Sequence, residues 1–259
     1  MKPVCLIIGA GAGIGGHVGK RFARDGYHII LSRRSDASGL ENLVKDIVQD
    51  GGSAEGRLLN IVDENAIENL IHDIEKNSGP IEVVVHNIGA QIGNRRLTDT
   101  SLKTFELGWR LSCFSLLRLA YTVLPLMAQR RKGTLLVTSS TAAQRGNAGQ
   151  HSHAAAMGGR RMLCQSLNAE FASQNIHVAH IVIDGAVDAP DTLGKMLGPE
   201  AFEKLRKDKG SEDGLMLPEH IADTYFHIAQ QHRSVWTHEL DLRSFSDEAW
   251  WNHAVNIEF

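Results

Sequence analysis

Short apolar runs alternate with longer amphipathic stretches along most of the chain. VCLIIG (Val4 to Gly9), HIILS (His28 to Ser32), IEVVVHN (Ile81 to Asn87), GTLLVTSS (Gly133 to Ser140) and IHVAHIVIDG (Ile176 to Gly185) are strand-length and rich in Val, Ile and Leu. Strands covered on both faces have this composition. Between them, GGHVGKRFARDG, LENLVKDIVQDG, ENAIENLIHDIEKN, the long SLKTFELGWRLSCFSLLRLAYTVLPLMAQRRKG and HAAAMGGRRMLCQSLNAEFASQ have helical length and period. Strand alternating with helix predicts an α/β fold, a doubly wound parallel sheet of about seven strands with helices on both faces. A last strand is expected over Trp236 to Leu242.

Local punctuation refines the pattern. Gly26, Gly51 and Gly133 follow helical runs and are expected to supply the left-handed residue that ends a helix. Pro125 falls inside the long helix, Leu102 to Arg131, and predicts a kink there. Without repeats or low-complexity linkers, residues 1–259 read as one domain. The segment around 188–218, rich in Gly, Pro and charge with a short helix PEAFEKLRKDKG, follows a strand end where ligands bind in such sheets, and is expected to be a substrate lid.

The turn after the first strand carries the first chemical signal. Gly9, Gly11, Gly13, Ile14 and Gly15 lie between that strand and an amphipathic helix. Glycines there let backbone approach a pyrophosphate whose charge meets the positive helix N-terminus, the Rossmann dinucleotide arrangement. At the end of the second strand, where an NAD site offers Asp or Glu to the ribose, the chain has Ser32, Arg33 and Arg34. Two guanidiniums suit a 2′-phosphate, so NADP(H) is the expected cofactor.

Composition narrows the partners. A net charge of -3 carries no basic footprint, so a small-molecule substrate is expected, with no nucleic acid and no membrane surface. No stretch reaches about 18 uninterrupted apolar residues. Three scattered cysteines and scattered histidines form no disulfide framework and no metal-ligand spacing, so no metal and a cytoplasmic setting are expected.

With these motifs the chain resembles the short-chain dehydrogenase/reductase family over nearly its whole length. The family's TGxxxGxG loop corresponds to Gly9 through Gly15, with Ile8 in place of the leading Thr, and its NNAG element to His86-Asn87-Ile88-Gly89. The family's catalytic serine matches Ser140 in VTSS. The resemblance places Asn87 and Gly89 against the cofactor, Asn60 where an Asp often touches adenine, His86 toward the adenosine side, and Gly185 and Val187 at the element that holds the nicotinamide carboxamide.

The catalytic set departs from the family. Its Tyr lies thirteen residues after Ser and its Lys four further on; here those positions are His153 and Met157, and the family's Asn falls on Ser112. Met157 has neither charge nor strong acceptor capacity. An imidazole can donate or accept a proton near neutral pH, so Ser140 and His153 are the expected proton-handling pair, with Ser112 and Met157 lining the site. Two chemistries stay open: carbonyl reduction with His153 as acid, or imine reduction, where the substrate arrives protonated and loss of the Lys charge relieves repulsion. Asp184, where relatives have proline, either faces such a cation or caps a turn. The alternative function is a catalytically inactive NADP-binding structural or sensor protein. In the resembled family the long helix and the catalytic helix form a dimer interface, so a homodimer or homotetramer is expected, with apolar positions such as Leu117 and Met162 on it. Trp250 and Trp251 would cover the pocket or a partner subunit.

Overall fold

The computed structural model describes residues 2–89 and 96–249. Seven strands form one sheet in the order β3-β2-β1-β4-β5-β6-β7, and every neighbouring pair is parallel. The strands are β1 (Val4–Ile8), β2 (His28–Arg33), β3 (Ser53–Leu58), β4 (Ile81–His86), β5 (Gly133–Ser140), β6 (Ile176–Asp184) and β7 (Glu239–Arg243). Helices α1 (Ile14–Arg24), α2 (Ala37–Gln49), α3 (Ala66–Asn77), α4 (Leu102–Trp109), α5 (Ser115–Arg130), α6 (His151–Phe171), α7 (Lys195–Leu197), α8 (Pro199–Gly210) and α9 (Pro218–Ala229) connect or flank them. The doubly wound parallel architecture is as the alternating pattern predicts.

Side chains alternate across β1, which divides the core in two. Val4, Leu6 and Ile8 pack with α3, α5 and α6, while Cys5 and Ile7 pack with α1, α2 and α9. Because β1 pairs with β2 on one side and β4 on the other, the chain leaves their ends in opposite directions and opens a crevice at the carboxyl edge.

Several local expectations are corrected. Strand β3, sequence SAEGRL, has no apolar run; it lies at the sheet edge, half-buried, and pairing with β2 rather than side-chain burial makes it a strand. The last strand starts at Glu239, after Trp236, whose ring stacks on His177 at 4.8 Å. Gly26 and Gly51 do take positive φ, but Gly133 does not: Arg131 is the left-handed residue ending α5. Gly133 is needed for space, since a Cβ there would strike Met127. Helix α5 runs through Pro125 to Arg130, and a π-helical segment, Arg110–Phe114, lies ahead of it. Such a widened turn leaves carbonyls seeking other donors: Ser115 Oγ donates to the Leu111 carbonyl at 2.6 Å and Arg160 to that of Ser112.

By length and composition the run Leu102–Arg130 could cross a bilayer, yet half of its most apolar window is buried inside the fold. Near its middle Arg118 makes two hydrogen bonds to the Glu68 carboxylate, at 2.6 and 2.9 Å. The predicted helix PEAFEKLRKDKG is α8. The segment ahead of it lies on the glycine loop, so that a Cβ on Gly13 would come within 2.9 Å of the Ala189 Cβ. Trp250 and Trp251 lie outside the described residues.

Candidate active site

Two adjoining cavities of about 260 and 340 Å³ line the crevice and share Gly9, Gly11, Ile88 and Gly89 as walls. The glycine loop is shaped by need at two points. Gly9 has φ +99° and passes so close to β4 that a Cβ would sit 2.5 Å from the Asn87 carbonyl. Asn87 Nδ2 in turn donates to the Gly9 carbonyl at 2.9 Å, fastening the loop to the next strand. By contrast, a Cβ on Gly11 or Gly89 would meet nothing within 4 Å and would fill the crevice itself. No side chain caps the first turn of α1, and Gly13, Ile14 and Gly15 at that end line the crevice. An open, glycine-walled groove ending at an uncapped helix N-terminus fits a dinucleotide.

Toward β2 the groove is walled by Ser32, Arg33, Arg34 and Asn60. Ser32 is buried, its hydroxyl donating to the Ile7 carbonyl at 3.2 Å, and Asn60 Nδ2 donates to Asp63 at 2.7 Å. The end of β2 carries no carboxylate in sequence, but the fold brings two to it. Arg33 lies 3.1 Å from Asp36, the left-handed N-cap of α2, and 3.6 Å from Asp191 in the segment after β6. Asp191 also accepts from the Ala12 N–H of the glycine loop at 3.4 Å and pairs with Lys195 at 3.3 Å. Arg33 is therefore neutralised from two sides, whereas Arg34 is exposed and makes no ion pair among the described residues.

At the other end, β5 delivers Ser140 and the first turn of α6 delivers His153. Ser140 Oγ and His153 Nε2 stand 3.1 Å apart, so the spacing of thirteen residues does bring them together. Met157, one turn on, is 2 % exposed and lines the same groove, its sulfur 3.8 Å from Ser139 Oγ. Val187, Ala189 and Thr192 close the opposite wall. Ser112 does not line the groove: it is fully buried, and it contributes its backbone carbonyl instead.

That carbonyl is held by a residue the sequence reading did not single out. Arg160 is 1 % exposed and lines the groove. Its Nη2 donates to the carbonyls of Ile88 at 2.7 Å and Ser112 at 3.0 Å, its Nε to Ser112 at 3.2 Å, and its Nη1 to Thr138. Burial pushes the guanidinium down to about 10. The signal was present in the helical period: positions 153, 157, 160 and 164 share a face, and an arginine on a face with Met157 and Cys164 departs from that face's apolar character.

Other expected contacts are corrected. His86 does not approach the adenosine side: it is fully buried, its Nε2 2.8 Å from Ser115 Oγ. Because that hydroxyl donates to Leu111, the imidazole must donate from Nε2. Burial, then the Arg160 charge, holds His86 neutral. Asp184 is 6 % exposed and paired with Arg243 at 3.7 Å, away from the groove walls, so it does not face a bound cation. Gly185 likewise lies outside those walls, against Met216 and Asp247. Among the described residues no group of three or more His, Cys, Asp or Glu side chains is placed to hold a metal.

Comparison with known proteins agrees with this geometry. The 7alpha-hydroxysteroid dehydrogenase of Escherichia coli K12 is 28 % identical over 200 residues, 77 % of this chain and 76 % of that one. A short-chain dehydrogenase from Rhodopseudomonas palustris superposes with a TM-score of 0.78 at 28 % identity, covering 94 % of this chain and 99 % of that one. A 7 alpha-hydroxysteroid dehydrogenase solved with NADH and 7-oxo glycochenodeoxycholic acid gives a TM-score of 0.80 at 25 % identity, covering 93 % of this chain and 92 % of that one. The family model for short chain dehydrogenases matches residues 3–193, a span that begins just before β1 and takes in every groove wall from Gly9 to Thr192. The chain belongs to the short-chain dehydrogenase family.

Proposed function

We propose that the chain is an NADP(H)-dependent reductase of a C=O or C=N group, with His153 as proton donor and Ser140 as the group that orients the substrate heteroatom. The observation that carries this reading is the 3.1 Å approach of Ser140 Oγ to His153 Nε2 on the wall of the glycine-loop groove. A substrate oxygen seated beside both groups would accept a hydrogen bond from each, and the imidazole proton would move to it as negative charge develops. The cofactor, when bound, supplies hydride to the substrate carbon. Gly11, Gly13, Ile14 and Gly15 would hold its diphosphate, Asn87 and Gly89 its middle, and Val187 the nicotinamide side. Met157 and Ala189 exclude water from the reacting end. Screening ketones against cyclic imines, with NADPH consumption as readout, tests this. Turnover of neither panel would leave an inactive NADP-binding protein as the better account.

The preference for NADP(H) rests on the two arginines. Asp36 and Asp191 already engage Arg33, so Arg34 is the cation available to a 2′-phosphate, and Asp191 must yield if Arg33 is to join it. Arg34→Ala is expected to weaken NADPH binding roughly tenfold, the scale of one charge-assisted contact, and to leave NADH binding unchanged, as read by cofactor fluorescence titration. Equal loss for both cofactors would remove Arg34 from the phosphate site. The lid role of residues 188–218 fits the seat of Ala189, Asp191 and Thr192 on the groove.

A homodimer or homotetramer is supported by apolar side chains left outside the core on the long helix and α6. Leu117 is 42 % exposed, Tyr121 81 % and Met162 53 %. Leu117→Glu combined with Met162→Glu is expected to shift the sedimentation coefficient to that of a monomer; an unchanged value would place the interface elsewhere.

A further inference from the structure

Fully buried arginines are rare because a guanidinium loses its hydration and needs a counter-charge or a full set of hydrogen bonds. Arg160 is the largest fully buried side chain among the described residues, and it makes no ion pair there. Four N–H groups reach three carbonyls, which leaves one N–H on Nη1 without a protein acceptor among the described residues. The groups whose charge bears on it are Cys113, Cys164 and Tyr225. Burial pushes all three up, so they stay protonated and neutral. Glu239, the carboxylate on neighbouring β7, is held by Arg161 at 2.6 Å and His180 at 3.0 Å. No carboxylate among the described residues pairs with Arg160, and its side chain lines the same groove as Ser140, His153 and Met157. Its field reaches His86 and His180, adding to the burial that keeps both neutral.

We propose that Arg160 is the fixed cation of the reacting half of the groove, making the site select the reduced, uncharged nicotinamide and a neutral or anionic carbonyl substrate over an iminium. The substrate half of this statement rests on the reductase reading above; the cofactor half does not. Replacement of the family's Lys by Met157 therefore does not leave the site without positive charge. The charge has moved three residues along the same helix and is carried by a group pinned to β5, to the segment after β4 and to the π-helical turn. An oxidised nicotinamide and an iminium each bring a positive charge toward it. A carbonyl brings none, and it develops negative charge on oxygen as it is reduced. One unit charge at about 10 Å and an effective dielectric of about 20 is worth roughly tenfold in relative affinity.

The test compares wild type, Arg160→Gln and Arg160→Lys by calorimetric titration with NADPH and with NADP+. The wild type is expected to bind NADPH more tightly. Arg160→Gln should shrink the ratio of the two dissociation constants roughly tenfold and Arg160→Lys should keep it within about threefold. A role in packing alone would change both affinities together and leave the ratio where it was. In turnover, Arg160→Gln should raise cyclic-imine reduction relative to ketone reduction. A wild type that binds NADP+ as tightly as NADPH overturns the proposal, as does a cooperatively folded Gln variant with an unchanged ratio. If the Gln variant does not fold, a Lys variant that loses the wild-type preference overturns it equally. Turnover of neither substrate by wild type would sink the reductase reading, and the binding ratio would still judge Arg160.

Discussion

His153→Gln is expected to lower kcat/KM for ketone reduction by about 10²- to 10⁴-fold, the usual contribution of a positioned general acid. Gln keeps a hydrogen-bonding group beside Ser140 Oγ, which lies 3.1 Å from the imidazole in the native protein, and removes only the transferable proton. The loss should fall on kcat with KM little changed, because the proton is needed as charge develops and not when substrate binds. A cyclic imine that arrives already protonated should lose far less. Retention of more than a tenth of wild-type kcat/KM on ketones would mean that His153 does not donate the proton. Ser140→Ala should weaken the same step by a smaller factor, since the hydroxyl orients the substrate oxygen and supplies no proton of its own.

The second large effect concerns stability in acid. Burial pushes His180 down to about 4, against the partial counter-pull of Glu239, and it also lowers His86 and His177. These imidazoles are neutral in the fold but take up protons near pH 6.5 once the chain unfolds. As pH falls below 6.5 the unfolded state binds more protons than the native one, so stability declines, and for His180 the loss is complete near pH 4. At about 1.4 kcal/mol for each tenfold in proton affinity, His180 alone removes roughly 3 kcal/mol. Glu239, lowered chiefly by its hydrogen bond from Arg161, loses its stabilising charge over an adjoining, lower range and so acts in the same direction. Urea unfolding at pH 7, 5.5 and 4.5 should show a midpoint that falls steadily. A midpoint unchanged between pH 7 and 4.5 would contradict the buried, neutral state of these residues.

How much was legible beforehand follows from what a sequence records. Strands β1, β2, β4, β5 and β6 announce themselves because burial on both faces leaves an unbroken apolar run. β3 is silent because an edge strand of mixed residues owes its state to hydrogen bonds with β2. The glycine loop is legible for a similar local reason: backbone that must turn sharply and stand close to β4 tolerates no side chain at Gly9. Ser140 and His153 stand where the resemblance to the family places its Ser and Tyr, thirteen residues apart.

What the chain pattern could not reveal depends on partners far apart in sequence. Arg33 reads as an open phosphate clamp until folding brings Asp191, remote along the chain, to within 3.6 Å. Ser112 reads as a site hydroxyl until the π-helical turn buries it and offers its carbonyl to Arg160. Arg160 itself bonds to residues 22, 48 and 72 positions away. Sequence alone determined the fold class and the glycine turn after the first strand, because periodicity and glycine content are local, while Ser140 and His153 came from the family resemblance. Only the tertiary structure decided that Arg33 is engaged by Asp36 and Asp191 and that Arg160 is buried on backbone carbonyls, because pairing and burial act through space and are indifferent to chain order.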